Sequence, residues 1–349
     1  MSQHLLPAMH RRSALSLLAA AGAAAAGLPR MARADEITVG YQLIYNPYAY
    51  AIASGKFEEA TGWKINWVKF DSGAKVITAM ASGDVQIALA GSSPIAAGVS
   101  QGVDMEVFWI VEDIAAAEAL VVRDGSGIDI ADPKTLKGKK IGVPFVSTTH
   151  FHMMYALELW GLTPQDVTLL NMQPNQIVAA WERGDIDGAF VWDPALGKIK
   201  GNGKVMVTSG ELSAKGKATF DGMVVNSAFA KDNPEFMAKF VKVMADADAA
   251  YRDNKAKWTP DSPEVKAIVD LVGGEPADVP GVLELYGFPT LAEQASPRWR
   301  GGGADGGVAK ALRFTSEFLK EQGRVDALQP DYGKFVTPAF AEAAQKLGG

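Results

Sequence analysis

The chain has 349 residues, 48% of them hydrophobic, and carries a formal net charge of −6 from 34 Lys and Arg against 40 Asp and Glu. That length suggests two domains, each able to fill a core of its own, and the absence of cysteine leaves them to do so without disulfides. An acidic balance with no basic run argues against nucleic acid as a partner.

Residues 1–34 read as an export leader. Arg11-Arg12 precede an Ala-rich apolar run too short to span a membrane comfortably, and Ala32-Arg33-Ala34 supplies a small-x-small cleavage pattern before Asp35. The Arg pair leaves the twin-arginine route open beside the general one. The leader holds four Arg and no acid, so its removal takes the net charge from −6 to −10. A periplasmic location is expected.

The mature chain then alternates short apolar strands with helices. Strands are expected at 37–42, 64–70 and 85–90, and helices at 48–59, at 73–82 and from Ser93-Pro94, where Ser suits an N-cap and Pro the first turn. Residues 118–123 read as a strand leaving this first lobe, and 132–139 as a turn-rich connector. The cycle restarts with strands at 140–145, 167–172 and 187–192 and helices at 148–160 and 175–183. Residues 221–227 cross back. The rest is helix-rich, at 233–252, 262–272 and 304–322, with a Gly-rich loop at 301–307 and a last helix within 330–347 laid across the first lobe. Such alternation implies parallel strands joined by helical crossovers.

The chain also repeats itself. Residues 74–90 and 175–191 match at a constant offset of 101, with Val76 opposite Ile177, Met80 opposite Trp181 and Leu89 opposite Phe190 around a shared Gly-Asp turn. A second echo pairs Glu118-Ala-Leu-Val-Val-Arg123 with Asp221-Gly-Met-Val-Val-Asn226. Two similar α/β halves linked by two similar strands imply two lobes with a cleft between them, where small ligands usually bind.

In parallel α/β sheets, ligands sit beyond the carboxyl ends of strands. Those ends carry Gln42, Ser72-Gly73, Ser92-Ser93, Ser147-Thr148-Thr149 and Trp192. Small hydroxyl residues at helix starts can simply cap them; several facing one cleft can hold an anion on free N–H groups without any cation. Glu118 and Asp221 stand before the crossing strands, near the cleft base. Such a pair can act as general acid and base, hold one ammonium group, or form ordinary hinge contacts. An acidic pair beside an anion-holding rim suits a zwitterion, and Trp192 either walls its spacer or belongs to the core. His150 and His152 lie on different faces of a helix, unlike a metal pair. No metal site, cofactor motif or nucleophile–base constellation is visible, so the reading is of a protein that is not an enzyme and uses no cofactor.

Several motifs resemble the taurine branch of the alkanesulfonate, nitrate and taurine solute-binding proteins of bacterial ABC importers. They are Val39-Gly-Tyr-Gln42, Phe70-Asp-Ser-Gly-Ala74, Ala81-Ser-Gly-Asp-Val-Gln-Ile87, Gly91-Ser-Ser-Pro94, Glu118-Ala-Leu-Val-Val122, Val143-Pro-Phe-Val-Ser-Thr-Thr-His150, Ala179-Ala-Trp-Glu-Arg-Gly-Asp-Ile-Asp-Gly188 and Phe318-Leu-Lys-Glu-Gln-Gly323. The resemblance implies a two-lobed periplasmic-binding-protein fold of type II kind, a monomer that delivers taurine or another sulfonate to a membrane permease. Lobe 1 would comprise 35–119 and 224–349, and lobe 2 would comprise 120–223. It also implies that Glu118 and Asp221 hold the ammonium, while Ser72, Gly73, Ser92, Ser93 and 147–149 surround the sulfonate. Two features depart from the pattern and bear on pocket size: a Tyr-rich stretch at 43–50, and Gly222-Met223 in place of a large aromatic. The alternatives are an enzyme on this fold acting on a pyrimidine or menaquinone precursor, which the leader argues against, and a general alkanesulfonate or small-anion receptor.

Overall fold

A computed structural model describes residues 35–347. The leader assigned to 1–34 lies outside the described residues. In chain order the strands are β1 (Glu36–Gln42), β2 (Lys64–Phe70), β3 (Ile87–Gly91), β4 (Glu106–Asp113), β5 (Glu118–Arg123), β6 (Lys140–Val143), β7 (Thr168–Asn171), β8 (Gly188–Trp192), β9 (Gly203–Thr208) and β10 (Phe220–Val225). The first sheet runs β2-β1-β3-β10-β4 and the second β7-β6-β8-β5-β9.

The two sheets are built alike. In each, three parallel strands are followed by an antiparallel strand and then an edge strand antiparallel to that one. Strands β5 and β10, the two echoed segments, take the same fourth place in their respective sheets. The chain passes from the first sheet to the second between β4 and β5, and returns between β9 and β10.

The helices are α1 (Pro47–Ala53), α2 (Lys56–Thr61), α3 (Gly73–Ala81), α4 (Ser92–Ser100), α5 (Thr148–Leu159), α6 (Pro174–Arg183), α7 (Ala195–Lys200), α8 (Ser209–Ser213), α9 (Ser227–Asp232), α10 (Pro234–Asp253), α11 (Pro263–Val272), α12 (Val279–Leu283), α13 (Leu291–Gln294), α14 (Gly307–Glu321) and α15 (Ala339–Gln345). The 101-residue repeat becomes α3–β3 and α6–β8. Val76 and Met80 are buried on α3, and Ile177 and Trp181 on α6, so the matched positions form matched inner faces. Gly83 and Gly184 follow these helices with φ of 83° and 74°, a left-handed conformation that glycine adopts freely.

Three expectations need correction. The helix foreseen over 48–59 is two helices, because Gly55 turns left-handed (φ 66°) between α1 and α2. The N-cap of α4 is Gly91, two residues before the expected Ser93. Strands β4 and β9 have no counterpart in the sequence reading. Strand β4 is an edge, and its backbone groups are met from outside the sheet: Gln294 accepts from Ile110 N at 3.0 Å and donates to Ile110 O at 2.6 Å. Buried Arg300 donates to Phe108 O and Thr337 O, and Val336 bridges to Val107. An edge covered in this way offers no template for a further strand.

Candidate functional site

The carboxyl ends of β1, β3 and β8 and the starts of β5 and α5 meet at one inner pocket. It is lined by Gln42, Ile44, Gly73, Gly91, Pro94, Glu118, Ser147, Thr148, Trp192, Asp221 and Tyr286, and its volume is about 20 Å³. Gln42 and Trp192 also line an outer cavity of about 390 Å³, which continues to Leu43, Lys69, Phe70, Asp71, Pro174, Asn175, Val178, Pro194, Ala195 and Lys198. Among the described residues, the inner lining contains no Lys or Arg.

The foreseen site residues fall into two groups. Gln42, Gly73, Glu118, Ser147, Thr148, Trp192 and Asp221 line the inner pocket together. Ser72, Ser92, Ser93 and Thr149 are buried at the same helix starts without belonging to that lining. Gln42 is held by donating to Leu89 O at 3.1 Å. Ser147 caps its own helix, accepting from His150 N at 3.1 Å, and its hydroxyl also meets Pro144 O (2.6 Å) and Thr149 Oγ1 (2.7 Å). Thr148 Oγ1 donates to Glu118 Oε1 at 2.5 Å, so this hydroxyl is turned to the acid rather than to an anion.

The starts of α3 and α4 differ from that of α5. Ser72 forms no capping hydrogen bond, and the Gly91 cap of α4 has no side chain to form one. Their first-turn N–H groups therefore keep the unpaired donors and positive dipole end that suit an anion. The hydroxyls of Ser92 and Ser93 are wholly buried and have no partner. Glycine is needed at both starts. A Cβ on Gly73 would lie 2.4 Å from Pro94 Cγ, and one on Gly91 would lie 2.8 Å from Thr148 Cγ2 and 3.1 Å from Asp221 Oδ1. Gly91 is thus where β3 and α5 approach across the cleft. Gly91→Ala is expected to leave both sheets folded and to weaken ligand binding about tenfold or more by displacing Thr148 and Asp221. Calorimetry checks this; undiminished affinity would show that the contact is not needed.

The acid side of the pocket holds more than the foreseen pair. Glu112, on β4, is fully buried and stands opposite Asp221 across the β4–β10 ladder. Asn46 Nδ2 donates to its two oxygens at 3.4 and 3.2 Å, while Asn46 Oδ1 caps α1 at Ala49 N (2.8 Å). Burial, then the charge of Asp221, pushes the Glu112 carboxyl well up. Burial also raises Asp221 to about 7, against the lowering effect of its hydrogen bond to Glu112. Two carboxylates in such contact must share a proton. It rests on Glu112, the deeper of the two, which then donates to an ionised Asp221. Glu118 is raised to about 8 by burial and then by Asp221, with Thr148 and Ser209 pulling the other way.

Tyr286 completes the pocket and was not foreseen. Its hydroxyl is pushed well up by burial and by the nearby charges of Glu112, Asp221, Asp193 and Glu118. The Tyr-rich stretch contributes less than its composition suggests. Tyr45 donates to Gly273 O at 3.0 Å, Tyr48 packs edge-on against Phe57 and Trp67, and Ile44 is the member of that stretch in the inner lining.

Two α/β lobes of matching strand order, with a polar pocket between their strand ends, define the periplasmic-binding-protein class. The chain belongs to the NMT1-like family, which matches residues 31–259. It is 40% identical over 320 residues to the taurine-binding periplasmic protein of Escherichia coli (strain K12), covering 92% of this chain and 97% of that protein. Its fold is similar to that of the alkanesulfonate-binding protein SsuA from Xanthomonas axonopodis pv. citri bound to MOPS, with a TM-score of 0.69, 23% identity, and coverage of 87% and 97% of the two chains. The desulfurization enzyme DszB shares the fold as well, with a TM-score of 0.61, 16% identity, and coverage of 90% and 99%.

Proposed function

We propose that this protein is a non-catalytic, extracytoplasmic solute-binding protein. It captures taurine or a closely related aminosulfonate and delivers it, as a monomer, to the membrane permease of an ABC importer. One observation carries the reading: in a single small pocket, Glu118 and Asp221 face the uncapped starts of α3 and α4. Carboxylates at one end suit an ammonium, and free N–H groups at the other suit a sulfonate. The taurine-binding relative, aligned over nearly its whole length, supports the same ligand and the same location.

The inner pocket's volume of about 20 Å³ is room for about one water. An aminosulfonate therefore enters only if the lobes part and close again around it. The moving bodies are 35–119 with 224–349, and 120–223, turning about 118–123 and 221–227. Trp192 and Gln42 stand between the inner pocket and the outer cavity, and exclude water once the lobes close.

A thermal-shift and calorimetric screen with taurine, ethanesulfonate, nitrate and a pyrimidine tests this function. Taurine is expected to stabilise most, since a ligand bound only by the folded form raises stability by about 2.7 kcal/mol at a hundred times its dissociation constant. Equal stabilisation by ethanesulfonate would reassign the protein as a general sulfonate receptor. Conversion of any ligand, followed by NMR, would make it an enzyme.

A further inference from the structure

A hydrogen-bonded chain runs inward from the acid side of the pocket. Ser209 Oγ, at the start of α8, lies 3.0 Å from Glu118 Oε2. His152 Nδ1, on α5, lies 2.8 Å from Ser209 Oγ, and His152 Nε2 lies 2.8 Å from Lys217 O. Glu118 opens β5, and Lys217 lies just before β10. The chain therefore joins the two passages between the lobes. Glu118 is 4% exposed, and His152 and Ser209 not at all.

The chemistry of the chain limits its protons. A backbone carbonyl only accepts, so Nε2 of His152 carries a hydrogen. Ser209 has one proton, which can go to His152 Nδ1 or to Glu118 Oε2. Both contacts survive only with one further proton in the chain. Either Glu118 is a neutral acid donating to Ser209, which donates to Nδ1, or Nδ1 is protonated and donates to Ser209, which donates to a Glu118 carboxylate. Glu118, Ser209 and His152 thus hold one movable proton with two resting places.

We propose that His152 and Ser209 are positioning residues for Glu118 that take over its proton when a ligand ammonium binds, so that the proton moves inward instead of leaving to solvent. This rests on the aminosulfonate reading of the site. The O–H bond of Glu118 breaks as its proton passes to Ser209 Oγ. Ser209's own proton passes to Nδ1, and an imidazolium forms with no change in total charge.

Charge favours this outcome. The groups facing Glu118 are Asp221 from β10, Glu112 behind it on β4, and Tyr286 from the segment after α12. With the ligand in place, one ammonium meets two carboxylates and a sulfonate in a pocket whose described lining has no Lys or Arg. An imidazolium two hydrogen bonds away supplies positive charge where it is otherwise missing. Around His152 stand the rings of Phe151 and Phe190, and Lys217, whose ammonium lies over the rings of Tyr155 and Phe151 at 4.8 and 6.0 Å. In the free protein, burial keeps Glu118 up at about 8 and His152 down at about 4, so the proton waits on Glu118.

Calorimetry of taurine binding at pH 7, in two buffers of different ionisation heat, tests the relay. Wild type is expected to release almost no proton. His152→Gln can still accept from Ser209 and donate to Lys217 O, but it cannot take the proton. It should release about one, with affinity rising about tenfold per pH unit through the range where Glu118 titrates. Ser209→Ala, which cuts the path, should behave in the same way. Independently of any variant, the ¹⁵N spectrum of wild-type His152 should change from neutral imidazole to imidazolium on adding taurine, and not on adding ethanesulfonate. Release of a full proton by wild type, or an imidazole that stays neutral in the complex, overturns the relay while leaving the aminosulfonate reading standing. Absence of any taurine binding by wild type overturns that reading itself, and the relay with it.

Discussion

Asp221→Asn is expected to lower affinity for taurine by about a hundredfold or more. Removing one partner from a buried ion pair costs about 3–5 kcal/mol, because the remaining charge is left without compensation in a poorly solvated place. Asp221 is the carboxylate most exposed to this loss. Glu112 and the strand pairing hold it in position, and the proton carried by Glu112 leaves it free to be the ionised member. The amide keeps the shape and loses the charge. Ethanesulfonate presents the same anion with no ammonium, so its binding should change little or even improve. Titrating both ligands into both proteins separates the outcomes. If wild type binds the two sulfonates equally, or if the variant keeps its taurine affinity, the acid side of the pocket is not an ammonium site.

The free protein is expected to lose thermal stability as pH rises from about 5 to about 8.5. Glu112, Glu118 and Asp221 all have folded-state pKa values raised above those of an unfolded chain, mainly by burial. The folded form then binds more protons than the unfolded form across that window. Stability that is complete below the ordinary carboxylate range is lost as pH climbs through the raised values. Saturating taurine should raise the melting temperature across the window, because it binds the folded form alone. Glu112→Gln should raise the melting temperature by about 5 °C at pH 8 and change it little at pH 5. The amide can keep accepting from Asn46 and donate to Asp221 without needing a proton of its own. Melting curves of the two proteins at both pH values provide the check; equal effects at pH 5 and pH 8 would mean that Glu112 does not titrate in this window.

The fold was legible where the chain repeats. A helix with an inner apolar face, a Gly-Asp turn and a short buried strand occur twice at one offset, and the strand pairing follows from them. The break at Gly55 was also written in the sequence, as a glycine in the middle of an otherwise helical stretch. Strand β4 was harder. Its central residues are buried throughout, so it lacks the period of two that marks a half-exposed strand, and it lies outside the repeat. Missing β4 meant missing Glu112, whose signal is the reverse of that of the acids that were found: a carboxylate closing an apolar run instead of opening one. Tyr286 follows a five-residue helix in a segment with no periodicity, and only the tertiary fold brings it to the pocket. The side-chain roles at 147–149 illustrate a different limit. A run of three hydroxyl residues at a helix start says that donors are present, but not that one caps the helix, the next turns to Glu118 and the third bonds to the first.

The strand order of the first sheet also governs when that sheet can be finished. Its fourth strand, β10, fills the gap between β3 and β4 and is the last of its five strands to leave the ribosome, after the entire second sheet has been made. Until then β3 has an open side and β4 has nothing to pair with. The second sheet, whose strands β5 to β9 are consecutive, carries no such delay. Synthesis therefore supplies every strand of the second sheet before the last strand of the first, and until β10 emerges the first sheet keeps an open strand edge.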